Sequence, residues 1–77
     1  MTVKIYTTPT CVYCHAEKEF FKENNIAFQE HDVFADAAAR QEMIDKTGQL
    51  GVPVTDIDGK IVVGFDKSKI KELLGLK

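Results

Sequence analysis

The chain has 77 residues, 44% of them hydrophobic, and a formal net charge of −2 from 10 basic and 12 acidic side chains. This describes one small domain over residues 1–77, large enough to fold alone when its core is well packed and too apolar for a disordered segment. The charge excludes the basic footprint of a nucleic-acid binder, and no apolar run reaches membrane-spanning length. Met1-Thr2-Val3-Lys4 leads straight into a strand pattern, without the apolar stretch of a signal peptide, so the expectation is a monomer in the cytoplasm.

Strand and helix patterns alternate along the chain. Val3 to Thr7 reads as a first strand. Pro9 disfavours helix at Thr8, which places the first helix start near Cys11. Tyr13, Ala16 and Phe20, with Cys14 and Phe21, recur at helical spacing and form the expected buried face. Asn24-Asn25 tolerates left-handed geometry and ends that helix, and Ile26 to Val33 reads as a second strand. A second helix is expected from an Asp36 N-cap to Gly48, with Met43 and Ile44 as its core contacts. Val54–Ile57 and Lys60–Val63 flank Asp58-Gly59, a strong hairpin signal because the type I′ turn needs positive φ at both central residues. A third helix starts at the N-cap Asp66, with Phe65 and Ile70 as a hydrophobic staple and Ile70, Leu73 and Leu74 as its apolar stripe, and stops at Gly75. The order is β-α-β-α-β-β-α. The first two strands are joined by a helix and should be parallel, through a right-handed crossover.

The two cysteines stand three residues apart, as Cys11-Val12-Tyr13-Cys14, where the first helix begins. A loop this short gains little chain-entropy stabilisation from a disulfide, so the pair reads as a dithiol that opens and closes. The unpaired N–H groups of the first helical turn favour the thiolate of Cys11, whereas Cys14 lies one turn deeper. Cys11 is therefore expected to attack a target disulfide, and Cys14 to resolve the mixed disulfide by attacking Cys11. The rival is zinc, which needs four ligands; His15 and His31 complete the count, but His15 adjoins Cys14 on one helix, in poor geometry for a tetrahedron. His15 is expected to face solvent, with stabilisation of the Cys11 thiolate as the alternative, and His31 has no visible partner. Asp56 is a carboxylate in a strand expected to be central. An edge-facing or hairpin-solvated position is expected for it, with proton carriage for Cys14 as the alternative.

Three segments, Tyr6-Thr7-Thr8-Pro9-Thr10-Cys11-Val12-Tyr13-Cys14, Thr47-Gly48-Gln49-Leu50-Gly51-Val52-Pro53-Val54 and Val63-Gly64-Phe65-Asp66, resemble the signature segments of glutaredoxins. The resemblance covers nearly the whole chain. It implies an α/β thioredoxin-like fold, with a four-stranded mixed sheet of order 2-1-3-4 flanked by three helices. It also implies a cis Val52–Pro53 bond facing the dithiol, with the Val52 backbone pairing to the substrate. The implied activity is thiol–disulfide oxidoreduction, with no tightly bound cofactor and with glutathione as cosubstrate. Substrates would be disulfide-containing proteins or glutathione mixed disulfides. Tyr13, Arg40, Val52, Pro53, Gly64, Phe65 and Asp66 are the implied substrate-binding residues, although Arg40 also reads as an exposed helix residue and Asp66 as a plain helix cap.

The chain departs from the family pattern at several positions. Val12 stands where many members have proline, Thr8 where a lysine is frequent, Leu50 where a basic or polar residue is frequent, and Lys67 where a second aspartate is common. Val12 and Gly64-Phe65 resemble instead the NrdH-type redoxins, which are reduced by thioredoxin reductase and supply ribonucleotide reductase. A third implied possibility is a carrier that dimerises around a [2Fe–2S] cluster, using the first cysteine of each chain and two glutathiones.

Overall fold

The computed structural model describes residues 2–76. Its elements are β1 (Val3–Thr7), α1 (Val12–Glu23), β2 (Gln29–Asp32), α2 (Ala37–Thr47), β3 (Val54–Ile57), β4 (Lys60–Val63) and α3 (Lys67–Leu74), in the predicted order. The sheet order is β2-β1-β3-β4. β1 pairs β2 in parallel, with Thr7 opposite Asp32, and pairs β3 antiparallel, with Tyr6 opposite Val54. β3 and β4 form the antiparallel hairpin, turning through Asp58 at φ 51° and Gly59 at φ 90°, the two positive values a type I′ turn requires.

Alternation along the central strands divides the interior into two cores. Val3, Ile5, Ile57 and Val62 pack with Phe20 and Phe21 of α1 and Ile70 of α3. On the opposite face Tyr6 and Val54 pack with Val33 and with Ala39 and Met43 of α2. Phe65 lies against the first of these clusters, as the staple at the start of α3 demands. The caps match their sequence signals: Asp36 accepts from the N–H of Ala38 and Ala39, and Asp66 from that of Lys69.

Several expectations are corrected. β2 begins at Gln29 rather than Ile26. The N–H of Ile26 is spent on the Phe21 carbonyl at 2.8 Å, past a left-handed Asn25 (φ 57°), so the chain is still closing α1 when a strand was expected. Ile26 and Phe28 instead pack from a loop against the first core. The buried face of α1 is Cys14, Glu17, Phe20 and Phe21, while Tyr13 is 68% exposed and Ala16 is exposed. The helical period was right, but its phase put a carboxylate on the stripe. In α2, Ala39 and Met43 fill the core and Ile44 is only half-buried. Asp56 is not solvated. It is 8% exposed and held at 2.7 Å by Lys46 of α2, with the Gly59 N–H on its other oxygen. His31 stacks on the Tyr6 ring at 5.5 Å, while its buried Nε2 has no hydrogen-bond partner among the described residues.

Candidate active site

The ends of the strands gather the predicted residues. β1 runs into the Cys11 loop. Because β3 is antiparallel to β1, its first residue, Val54, sits beside Tyr6 near that same end, and Pro53 immediately precedes it. Val63 pairs with Val54, so Gly64, Phe65 and Asp66 leave β4 at this end as well. β2 is parallel to β1 and delivers Val33 there, where the Arg40 guanidinium reaches the Val33 carbonyl at 3.4 Å. Sites at the carboxyl ends of parallel strands are a general consequence of this topology.

Cys11 is the N-cap of α1, with extended backbone (φ −82°, ψ 111°). Its sulfur accepts the Cys14 N–H at 3.1 Å, so a first-turn donor that would otherwise be orphaned points at it. Cys11 is half-buried and Cys14 fully buried, and the two form a disulfide with their Cα atoms 5.2 Å apart. His15 is exposed, and its ring meets the Pro9 carbonyl at 3.3 Å rather than Cys11. The Val52–Pro53 bond is cis, as the resemblance implied. The Pro53 carbonyl accepts from Gly64 N–H at 2.8 Å, and Gly64 makes that bond with φ 79°, a conformation that favours glycine. This ties the second and third sequence segments together.

The remaining predicted residues divide by role. Tyr13 is open to solvent beside the dithiol. Arg40 is exposed on α2. Phe65 is half-buried, with its ring 6.0 Å from that of Phe20, so part of it belongs to the core. The Asp66 side chain is engaged as a cap. Of the large apolar side chains left exposed, Val12, Tyr13, Phe34 and Leu50 all belong to loops or helix starts at the dithiol end. Among the described residues, no group of three or more His, Cys, Asp or Glu side chains is arranged to hold a metal ion.

Sequence reasoning missed Glu17. It is fully buried one turn after Cys14, and its Oε2 accepts from the Thr55 hydroxyl in β3 while Oε1 has no partner. Burial pushes its carboxyl up to about 7, against the opposing pull of the Thr55 bond. The signal was available, because Cys14, Glu17 and Phe21 follow i, i+3, i+7 as well as any apolar triplet does. A second missed group lies on the opposite face of the sheet. There Lys46 contacts Asp56 at 2.7 Å and both Tyr6 Oη and Glu42 at 3.1 Å, and Tyr6 donates to Glu42. Burial alone would raise the Asp56 carboxyl, but Lys46 and the Gly59 N–H hold it below its usual value. The Asp56 carboxylate, with Tyr6 and Glu42 behind it, raises Lys46 against the opposing effect of burial.

A dithiol at a helix N-terminus, on a β2-β1-β3-β4 sheet with a cis-proline at the same end, defines a thiol–disulfide oxidoreductase of thioredoxin-like fold. The glutaredoxin family model matches residues 3–62, and the chain belongs to that family. A glutaredoxin-like 8.6 kDa protein of a rubredoxin operon in Clostridium pasteurianum is 47% identical over 72 residues, covering 94% of this chain and 96% of the relative. Glutaredoxin 3 of Escherichia coli (strain K12) is 41% identical over 64 residues, covering 83% of this chain and 77% of the relative. The structure of the glutaredoxin-like NrdH-redoxin from Escherichia coli superposes with a TM-score of 0.83 at 29% identity, covering 95% of each chain.

Proposed function

We propose that Cys11 and Cys14 reduce the disulfides of other proteins and glutathione mixed disulfides in the cytoplasm, with the protein acting as a monomer and glutathione restoring the dithiol. Cys11 is the attacking sulfur and Cys14 the resolving one. The observation that carries this reading is the asymmetry of the pair. Cys11 is partly accessible and receives a helix N–H at 3.1 Å, while Cys14 is buried one turn deeper. A free thiol titrates at about 8.5, and a helix N-terminus lowers that value. In the cycle, Cys11 thiolate attacks one sulfur of the target and the other leaves as a thiolate. Cys14 thiolate then attacks Cys11, the Cys11–target bond breaks, and the target departs reduced by two electrons. Val52 and Pro53 would present backbone to the substrate cysteine. Tyr13, Arg40, Gly64, Phe65 and Asp66, carried to the same end of the sheet, would hold glutathione, whose carboxylates suit the Arg40 guanidinium. The 41% identity to glutaredoxin 3 supports this assignment.

A second reading is an NrdH-type redoxin, reduced by thioredoxin reductase and supplying ribonucleotide reductase. It is favoured by the exposed apolar rim of Val12, Tyr13, Phe34 and Leu50, which suits protein surfaces better than a charged tripeptide. The test is NADPH consumption with a small disulfide under two regenerating systems, glutathione with glutathione reductase against thioredoxin reductase alone. Turnover in the first system only supports the glutathione assignment. Turnover in the second only transfers the protein to the NrdH type, and turnover in neither refutes both donors.

A further inference from the structure

Glu17 is an expensive residue to keep where it stands. A carboxyl with no solvent exposure and one oxygen without a partner costs stability, since a buried polar atom lacking a hydrogen bond forfeits about 1–3 kcal/mol. One turn back on its own helix stand two titratable side chains, Tyr13, which is open to solvent, and the buried Cys14. Cys14 lies three residues earlier, and residues so spaced have their Cβ atoms about 5–6 Å apart. Helical side chains also lean back over the preceding turn, which for Glu17 is the turn that carries Cys14.

From the proposed roles of Cys11 and Cys14, on which this step rests, we infer that Glu17 is the internal base of the resolving step, accepting the Cys14 thiol proton on Oε1. Cys14 is fully buried, so no water reaches its thiol to take the proton. The proton passes from Cys14 Sγ to Glu17 Oε1, and the Cys14 thiolate displaces the target sulfur from Cys11. The target leaves as a thiolate and draws its own proton from solvent. When a reductant reopens the Cys11–Cys14 bond, Glu17 returns its proton to Cys14. In the disulfide form the thiol hydrogen no longer exists, and Oε1 is the atom left without a partner. The other oxygen is fixed by Thr55 of β3, which holds the carboxyl in place one turn beyond Cys14 on the buried face of α1.

The surroundings leave the carboxyl's charge to this one exchange. β3 presents the neutral Thr55, and the same side of the sheet carries Ile5 and Ile57, with Ile70 from α3. The Lys67 ammonium of α3 stands over the Phe20 ring at 5.3 Å, Lys18 of α1 is paired with Glu30 at 2.7 Å, and Asp56 is engaged by Lys46 on the opposite face. A buried carboxyl that titrates near neutrality, free of a fixed counter-charge, matches the demand on a base working at the pH of the cell.

The experiment uses the full chain, reduced, mixed anaerobically with 4,4′-dithiodipyridine in a stopped-flow instrument from about pH 5 to about pH 9. The first thiopyridone released reports attack by Cys11 and the second reports closure by Cys14. In the parent protein the closure rate should rise through about pH 7 and then level. In Glu17→Gln, which keeps size and the Thr55 bond, closure should fall about tenfold or more at pH 7 and keep rising toward the thiol's own range near 8.5. The first release should be unchanged, and Glu17→Asp should restore part of the profile. Closure in Glu17→Gln with the parent's rate and midpoint would overturn the inference. Cys14→Ser separates the two claims: it must lose the second release, and if it does not, the role assigned to Cys14 fails. Should Glu17→Gln not fold, carbon NMR of the Glu17 carboxyl in the parent decides. A midpoint near 7 that shifts on reduction of the dithiol supports the coupling, and an ordinary carboxylate midpoint refutes it.

Discussion

Replacing Lys46 by Met tests how the second core is held together. Met preserves most of the Lys46 stem and removes its charge, stranding Asp56 in the central strand with only the Gly59 N–H. Breaking a fully buried pair costs about 3–5 kcal/mol and an exposed one about 0–1 kcal/mol. The Asp56 side chain is 11% exposed but that of Lys46 is 29%, so solvent screens one partner and the cost should fall between those limits, at about 2 kcal/mol. At about 2.1 cal/mol/K per residue, a chain of this length loses about 12 °C in Tm for that amount. The loss must depend on pH. In the parent the Asp56 pKa is lowered, so its contribution is present above the unfolded-state value and disappears as pH falls through the folded-state value. In Lys46→Met, burial pushes the same carboxyl upward, and protonation relieves it. Thermal unfolding followed by circular dichroism at about pH 7 and about pH 3 should show the difference shrinking to a small fraction at the lower pH. The double variant Lys46→Met/Asp56→Asn should recover most of the loss at pH 7. An equal loss at both pH values, or no recovery in the double variant, would refute the claim that stranding a charge is the cause.

Further outcomes are expected. Because the Glu17 pKa is raised from 4.5 to about 7, its contribution to stability is fully present below about 4.5 and lost as pH rises through about 7. About 3 kcal/mol should separate urea-derived stabilities at about pH 4 and about pH 8, and Glu17→Gln should flatten that slope, at about 1.4 kcal/mol per pH unit per proton. Gly64→Ala meets no atom within 4 Å but forces a side chain to φ 79°, so it should cost about 1–2 kcal/mol in the same measurement, and no loss would remove the conformational argument. Arg40→Ala, at an exposed position, should change stability by less than about 0.5 kcal/mol while raising the KM for glutathione severalfold; an unchanged KM excludes Arg40 from the site. Cys11→Ser should abolish turnover on every disulfide. Cys14→Ser should accumulate mixed disulfides with protein substrates, visible by mass spectrometry, and Cys11→Ser retaining reductase activity would reverse the assigned roles.

What the amino-acid sequence determined by itself was everything governed by neighbours within a few residues. The N-caps at Asp36 and Asp66, the Asp58-Gly59 turn and the Cys11–Cys14 pair at a helix start all stood where expected. Each rests on a short-range rule, a side chain satisfying N–H groups two or three residues on, or a dipeptide that accepts positive φ. The strand order and the cis Val52–Pro53 bond were legible only through likeness to a family, because their causes are distant in the chain. Tertiary structure alone decided the rest. The phase of α1 on the sheet, not its period, chose Glu17 over Ala16 for burial one turn after Cys14. The packing of α2 across β3 brought Lys46 to Asp56, and the parallel pairing of β1 with β2 set His31 on the Tyr6 ring. A charged side chain in a sequence looks solvated, and whether it is depends on what the fold lays over it.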